Sequence, residues 1–173
     1  MREDTDRERI EKFMSAFGRA AKVEGCVYFT GGACAVLLGW RSKTMDIDLK
    51  LAPDQDVLID AISDLKNRLD MNIEFACPSD FIPELPDWEA RSSFIAHHGK
   101  LTFRHYDFYS QALSKIERGH AQDLSDVRNM IKDGLIEKDA VLQYFEKIAP
   151  RLKRYPAIEP EEFRKRVEDF LKH

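Results

Sequence analysis

The feature that most constrains the fold is a short segment, residues 45–51 (MDIDLKL), in which apolar and polar residues alternate. This period of two is typical of a β-strand with one buried face, so we expect Ile47 and Leu49 to point into a core. Asp46 and Asp48 then project from the opposite face, although aspartate is disfavoured in strands. Two carboxylates this close repel each other unless a cation lies between them. The segment therefore predicts a strand that carries a cation site.

A hard divalent ion such as Mg²⁺ suits this site because it prefers oxygen ligands. A third carboxylate, Glu74, stands between apolar residues in a later strand-like segment, residues 71–76 (MNIEFA). If the two strands are neighbours, three carboxylates meet at one place. Such a cluster suits two-metal phosphoryl transfer, in which one ion activates the attacking oxygen and the other binds the triphosphate. The alternative for Glu74 is an exposed strand residue with no catalytic role.

Two adjacent glycines, Gly31 and Gly32, follow a β-rich run at residues 26–30 and precede an apolar helical segment at residues 33–39. Glycine lets the backbone come close to a phosphate, and N–H groups at the start of a helix favour an anion. We therefore predict that the two glycines bind the phosphates of a nucleotide.

Two polar residues in the next loop, Arg41 and Thr44, are candidates for a phosphate contact, although an ion pair or a cap is the simpler interpretation. The three histidines around residues 97–105 have no carboxylate at ligand spacing, so we interpret them as structural residues and not as metal ligands.

The remaining periodicity predicts an α/β (α+β) protein, a small mixed sheet flanked by helices and followed by a helical C-terminal part. Helices are expected over residues 5–22, 54–69, 108–119, 121–134, 137–152 and 161–172. Asp54 or Asp56 is expected to cap the second of these, with Val57 on its buried face. A hairpin is expected near His98, and prolines predict a loop over residues 78–88.

This layout predicts two parts, residues 1–106 with the sheet and the N-terminal helix, and residues 107–173 as helices packed on that core.

The net charge of the 173-residue chain is −4. Nucleic-acid coat proteins and membrane-surface binders usually have a basic excess, so we expect neither of these functions. The N-terminal segment is acidic and no long apolar run is present, so we expect no signal peptide and no membrane partner. Three scattered cysteines predict reduced thiols and a cytoplasmic protein.

Taken together, these motifs resemble a known family. The Gly31-Gly32 pair, the Asp46-Ile47-Asp48 triplet and the apolar-flanked Glu74 look like the signature of the polymerase-beta-like nucleotidyltransferase superfamily. Residues 107–127 (DFYSQALSKIERGHAQDLSDV) are similar to the lysine-bearing helix and Asp-x-x-Asp motif of nucleotidyltransferase-like toxins in bacterial toxin–antitoxin and phage-defence systems. The resemblance is to small bacterial members of that group.

The resemblance implies a magnesium-dependent enzyme that transfers a nucleoside monophosphate from a nucleoside triphosphate (NTP) to a hydroxyl group. Asp46, Asp48 and Glu74 would bind two Mg²⁺ ions, and Glu74 is a candidate for activating the acceptor hydroxyl. The acceptor could be RNA, including the end of a transfer RNA, a protein or a small molecule. A basic patch at Arg151, Lys153 and Arg154 is a candidate grip for a transfer RNA end.

The same resemblance implies that Lys115 neutralises the triphosphate and that Asp123 or Asp126 completes the nucleotide site. As alternatives, Lys115 is a solvated residue or an ion-pair partner of Asp107 or Glu117, and Asp123 is an acid at a helix start. In the family interpretation Lys115 belongs to binding, so its replacement by alanine would change stability by less than about 0.5 kcal/mol.

Two departures from the family pattern support a second function. Ala33 follows the second glycine, where many active members have serine, and Glu74 stands where aspartate is more usual. The alternative is therefore a catalytically weak nucleotide-binding or partner-binding regulatory module of a toxin–antitoxin-like system.

Overall fold

The computed structural model describes residues 2–173 and has the mixed α/β architecture expected from the sequence. The chain forms two compact units. The first contains the residues up to Cys77 together with Ser92–Tyr106, and the second contains Pro78–Arg91 together with Asp107–His173. Among residues 2–173, no helix has the length and apolar character that crossing a membrane requires.

From residue 2 onward, the first unit is built from three helices and seven strands. In chain order they are β1 (Thr5–Asp6), α1 (Arg7–Ala20), β2 (Gly25–Thr30), α2 (Gly32–Leu37), β3 (Lys43–Thr44), β4 (Asp46–Ala52), α3 (Asp56–Arg68), β5 (Asn72–Phe75), β6 (Phe94–His98) and β7 (Leu101–His105). Five strands form one mixed sheet in the order β5-β4-β2-β7-β6, and β1 pairs with β3 in a separate two-stranded sheet.

Alternation along β4 decides which side of the main sheet is buried. Ile47, Leu49 and Leu51 are at most 1% exposed and belong to the core, whereas the residues between them are partly exposed. Helix α1 contributes Phe13 and Phe17 to the same core, where apolar burial is the main stabilising term. The opposite face of the sheet therefore carries the polar residues of β4.

The second unit is helical. Its helices are α4 (Trp88–Arg91), α5 (Phe108–Arg118), α6 (Ala121–Lys132), α7 (Lys138–Ile148) and α8 (Pro160–Leu171), with 3₁₀ turns at Pro78–Asp80 and Ala149–Arg154. Asp107 caps α5 by accepting hydrogen bonds from Tyr109 N and Ser110 N, and it also binds Arg91 at 2.8 Å. The capping carboxylate thus ties α5 to α4.

The structure corrects several local expectations. The α-helix expected over residues 137–152 ends at Ile148 and continues as a 3₁₀ turn, because Pro150 lacks the N–H that an α-helix needs. Gln55, and not Asp54 or Asp56, occupies the N-cap of α3 and makes no side-chain cap bond. Val57 is 40% exposed, so it lies off the buried face.

Candidate functional site

The sheet register brings Asp48 and Glu74 side by side. Strands β4 and β5 are parallel neighbours, with Asp48 paired to Glu74 and Asp46 paired to Asn72. Paired residues in adjacent strands project from the same face, and so do residues two apart in one strand. Asp46, Asp48 and Glu74 therefore share the face of the sheet opposite the core. Glu74 is exposed, and the two aspartates are half-buried.

Strand β2 adds a hydroxyl to this face. Thr30, the last residue of β2, pairs with Asp48 across the antiparallel β2–β4 ladder and is 7% exposed. Lys50 continues the face along β4 and is paired with Tyr28. Sequence reasoning did not select Thr30 or Lys50. Two features of the sequence could have indicated them: Thr30 lies directly before the glycine pair, and the alternation of β4 continues from Asp48 to Lys50.

The glycine pair lies beside the carboxylate of Asp48. Gly31 has φ 61° and ψ −131°, a backbone conformation that residues other than glycine rarely adopt. A Cβ atom at Gly31 would lie 3.2 Å from Asp48 Oδ2, and one at Gly32 would lie only 2.1 Å from Thr44 Oγ1. The positive φ therefore requires glycine at position 31, and the contact with Thr44 requires it at position 32. The turn lies directly beside the Asp48 carboxylate.

The loop before β4 supplies two more groups to the turn. Thr44 Oγ1 donates a hydrogen bond to the carbonyl of Asp46 at 3.0 Å, a local structural contact that is neither an ion pair nor a helix cap. Arg41 Nη1 lies 3.6 Å from the position of a Cβ on Gly32. Its guanidinium places a positive charge next to the glycine pair, so Arg41 stays a candidate for a phosphate contact.

A buried Cys–His pair lies behind the glycine pair. Cys34 Sγ donates to the carbonyl of Phe29 at 3.2 Å, and His105 Nδ1 lies 3.0 Å from the same sulfur. Burial lowers the pKa of His105 from its usual 6.5 to about 4, because a charged imidazole would lose its hydration there. Ala33 is fully buried in the core, so a serine at this position would place its hydroxyl among apolar groups.

In the second unit, Lys115, Asp123 and Asp126 form a buried ion-pair cluster. Lys115 Nζ lies 2.8 Å from Asp126 Oδ2 and 3.3 Å from Asp123 Oδ1, and Arg118 also binds Asp123 at 3.0 Å. Lys115 is only 8% exposed, so the interpretation of Lys115 as a solvated surface residue is wrong. Its partners are Asp123 and Asp126, whereas Asp107 binds Arg91.

The donor chemistry at Asp46, Asp48 and Glu74 fits a magnesium ion, because all three offer carboxylate oxygens. Within residues 2–173, however, no group of three His, Cys, Asp or Glu side chains is close enough to hold a metal ion. A cation bound here would therefore have to draw the three carboxylates together.

A family model described as a nucleotidyltransferase of unknown function (DUF6036) matches residues 8–170, which is nearly the whole chain. No curated protein and no solved structure matches the sequence. The matched residues include the glycine turn, all three carboxylates of the sheet and the Lys115 cluster. The chain therefore belongs to this family of nucleotidyltransferases.

Proposed function

We propose that the protein transfers a nucleoside monophosphate from an NTP to a hydroxyl acceptor, with a divalent metal ion bound by Asp46, Asp48 and Glu74. The observation that carries this proposal is the pairing of Asp48 with Glu74 on adjacent strands, beside a glycine turn where a Cβ on Gly31 would lie 3.2 Å from Asp48 Oδ2. Carboxylates and a phosphate-accepting turn at one place are what nucleotidyl transfer requires. Membership of the nucleotidyltransferase family supports the same reaction class.

The glycine turn would receive the phosphates. Without Cβ atoms at Gly31 and Gly32, the backbone can approach a phosphate oxygen closely. Arg41 next to the turn, and Lys50 on the carboxylate face, would offset the negative charge of the triphosphate. These two cations give the site a means of binding a highly charged substrate despite its three carboxylates.

Magnesium, when bound, would neutralise the developing charge and favour ionisation of the attacking hydroxyl. Asp46 and Asp48 would hold it, and Glu74 would hold it or accept the proton of the acceptor hydroxyl. Thr30, beside Asp48, would orient the Asp48 carboxylate.

For Lys115, Asp123 and Asp126, the family resemblance supports a role in nucleotide binding, and this role remains part of the proposal. Their mutual ion pairs support a positioning role, because two carboxylates already compensate the ammonium of Lys115. A buried network of this kind holds its helices in a defined register.

We propose that the protein acts in the cytoplasm of a bacterium. We also propose that its family belongs to the polymerase-beta-like superfamily and is related to the toxin–antitoxin nucleotidyltransferases. The free state of Cys26, Cys34 and Cys77 agrees with a reducing compartment. The acceptor is RNA, a protein or a small molecule. The second candidate is a nucleotide-binding regulatory module, which is favoured by the separation of the three carboxylates.

Mg²⁺ and an NTP together should raise the free energy of unfolding by about 2.7 kcal/mol at 100 times the dissociation constant, and more than either alone. The double variant Asp46→Asn, Asp48→Asn should lose this gain because the proposed metal ligands are gone. Urea unfolding monitored by fluorescence, with and without ligands, measures the difference.

The matched control is the double variant Asp54→Asn, Asp60→Asn, which removes the same charge from two exposed positions. It should keep the full stabilisation by Mg²⁺ and an NTP.

Transfer is tested separately with labelled NTPs, Mg²⁺ and either total RNA or cell lysate. Label on an acceptor with the wild type and none with the Asp46, Asp48 variant supports the enzyme. Metal-dependent NTP binding without any label supports the regulatory module instead.

A further inference from the structure

A cavity lies between three helices of the helical unit. It has a volume of about 370 Å³ and is lined by residues of α5, α6 and α8. This volume is in the range of small-molecule sites, which is roughly 300–1,000 Å³. One arginine from each helix lines it, namely Arg118, Arg128 and Arg166. Among residues 2–173, the lining has one carboxylate side chain, Asp169. Asp123 and Glu162, outside the lining, pair with Arg118 and Arg166, so Arg128 is the cation most available to an anion.

The three guanidinium groups still have donors to offer. Arg128 is exposed and lies with its Cζ 5.6 Å from the ring centre of Phe170, and it has no carboxylate partner among residues 2–173. Arg118 uses Nε and Nη2 on Asp123. Arg166 uses Nη1 on the carbonyl of Glu117, and its Nε lies 3.5 Å from the Glu162 carboxylate. Because each guanidinium carries five N–H donors, all three arginines retain donors for a ligand.

An apolar wall completes the cavity. Ile116, Leu124 and the half-buried ring of Phe170 line it beside the arginines. Arginine is the preferred partner of phosphate because its planar fork matches phosphate oxygens, and an aromatic face is the usual partner of a base. One anionic group and one flat apolar group are therefore accommodated together.

We propose that this cavity binds a nucleoside monophosphate unit, with the phosphate on the arginines and the base against Phe170 and the apolar wall. The unit comes either from a free nucleotide or from the end of a single-stranded RNA. None of the lining residues belongs to the glycine turn or to the carboxylate face. Arg118 also binds Asp123, which the proposed function assigns to nucleotide binding. Because the cavity needs neither the glycine turn nor a metal ion, its ligand binding can be tested apart from the transfer reaction.

The test is a calorimetric titration of the 173-residue chain with AMP in EDTA, which suppresses binding that depends on a metal ion. Arg128→Gln should weaken AMP binding about ten- to a hundredfold, as expected for loss of a charge-assisted contact. Lys165→Gln is the matched control, because it removes the same charge from an exposed position on α8 outside the cavity. It should bind AMP within about twofold of the wild type. Melting curves confirm that both variants are folded.

Further ligands separate the parts of the site. Phe170→Leu should weaken AMP by about fivefold or more while leaving inorganic phosphate unchanged, because stacking is lost and the arginines remain. Tighter binding of a short single-stranded RNA than of AMP, with the same dependence on Arg128, identifies RNA as the source. Tighter binding of AMP identifies the free nucleotide.

Three results would overturn the inference. These are no AMP binding, equal weakening by Arg128→Gln and Lys165→Gln, and inorganic phosphate binding as tightly as AMP. AMP binding in EDTA should also persist in the Asp46→Asn, Asp48→Asn variant. Its loss there would assign the nucleotide to the carboxylate face and remove the second site, whereas failure of the transfer reaction alone would leave this site intact.

Discussion

Replacing Lys115 with alanine is expected to lower the free energy of unfolding by about 3–5 kcal/mol, the range for breaking a buried ion pair. The residue is 8% exposed, and its ammonium lies 2.8 Å from Asp126 Oδ2 and 3.3 Å from Asp123 Oδ1. Asp123 keeps Arg118 as a partner, but the buried carboxylate of Asp126 loses this cation. Urea denaturation at pH 7 measures the loss.

The matched control is Lys165→Ala, which truncates an exposed lysine on α8 and should change stability by less than about 0.5 kcal/mol. The double variant Lys115→Met, Asp126→Asn should lose less than the sum of its single variants, with a coupling energy of about 0.5–3 kcal/mol. Equal stability of Lys115→Ala and Lys165→Ala would contradict the buried cluster and support a surface lysine available to a nucleotide.

Acidification should destabilise the protein through His105. Burial lowers the pKa of His105 from 6.5 to about 4, so the folded protein keeps this imidazole neutral while the unfolded chain protonates it at the usual value. The stabilising contribution is complete above pH 6.5 and is lost as the pH falls from 6.5 towards 4. The full loss is about 3 kcal/mol, since one pKa unit corresponds to about 1.4 kcal/mol.

The measurement is the free energy of unfolding in urea between pH 4 and pH 8, for the wild type and for His105→Asn. Carboxylates also contribute to acid destabilisation, so the difference between the two proteins isolates His105. That difference should shrink as the pH falls, because the wild type loses a contribution that the variant does not have. His97→Asn, at an exposed position in the same hairpin, should retain the wild-type pH dependence. A constant difference between wild type and His105→Asn would show that this imidazole does not titrate on unfolding.

Local periodicity made most of the elements predictable. The alternation over residues 45–51 predicted a strand with Ile47 and Leu49 buried, and the structure confirms that face of β4. Helical spacing similarly predicted α1, α3, α5 and α6 to within a few residues at each end. Such patterns are visible in the sequence because the spacing of apolar residues along an element indicates which of its faces is buried.

Short or irregular elements were harder to predict. The four-residue helix Trp88–Arg91 and the two-stranded pairing of β1 with β3 have no periodic pattern of their own. Elements of this length form because tertiary contacts hold them, so local propensity contributes little to their stability. The 3₁₀ turn after Ile148, in contrast, had a visible cause in Pro150.

By itself, the sequence determined the residue types of the site: a glycine pair, two aspartates on one strand face and an apolar-flanked glutamate. Only the tertiary structure decided that β5 pairs with β4 so that Glu74 lies beside Asp48, and that Thr30 lies on the other side. Strand order depends on contacts between residues far apart in the chain, which no local pattern encodes. The same reason applies to Lys115, whose helix position was predictable but whose burial between Asp123 and Asp126 depends on how α5 packs against α6.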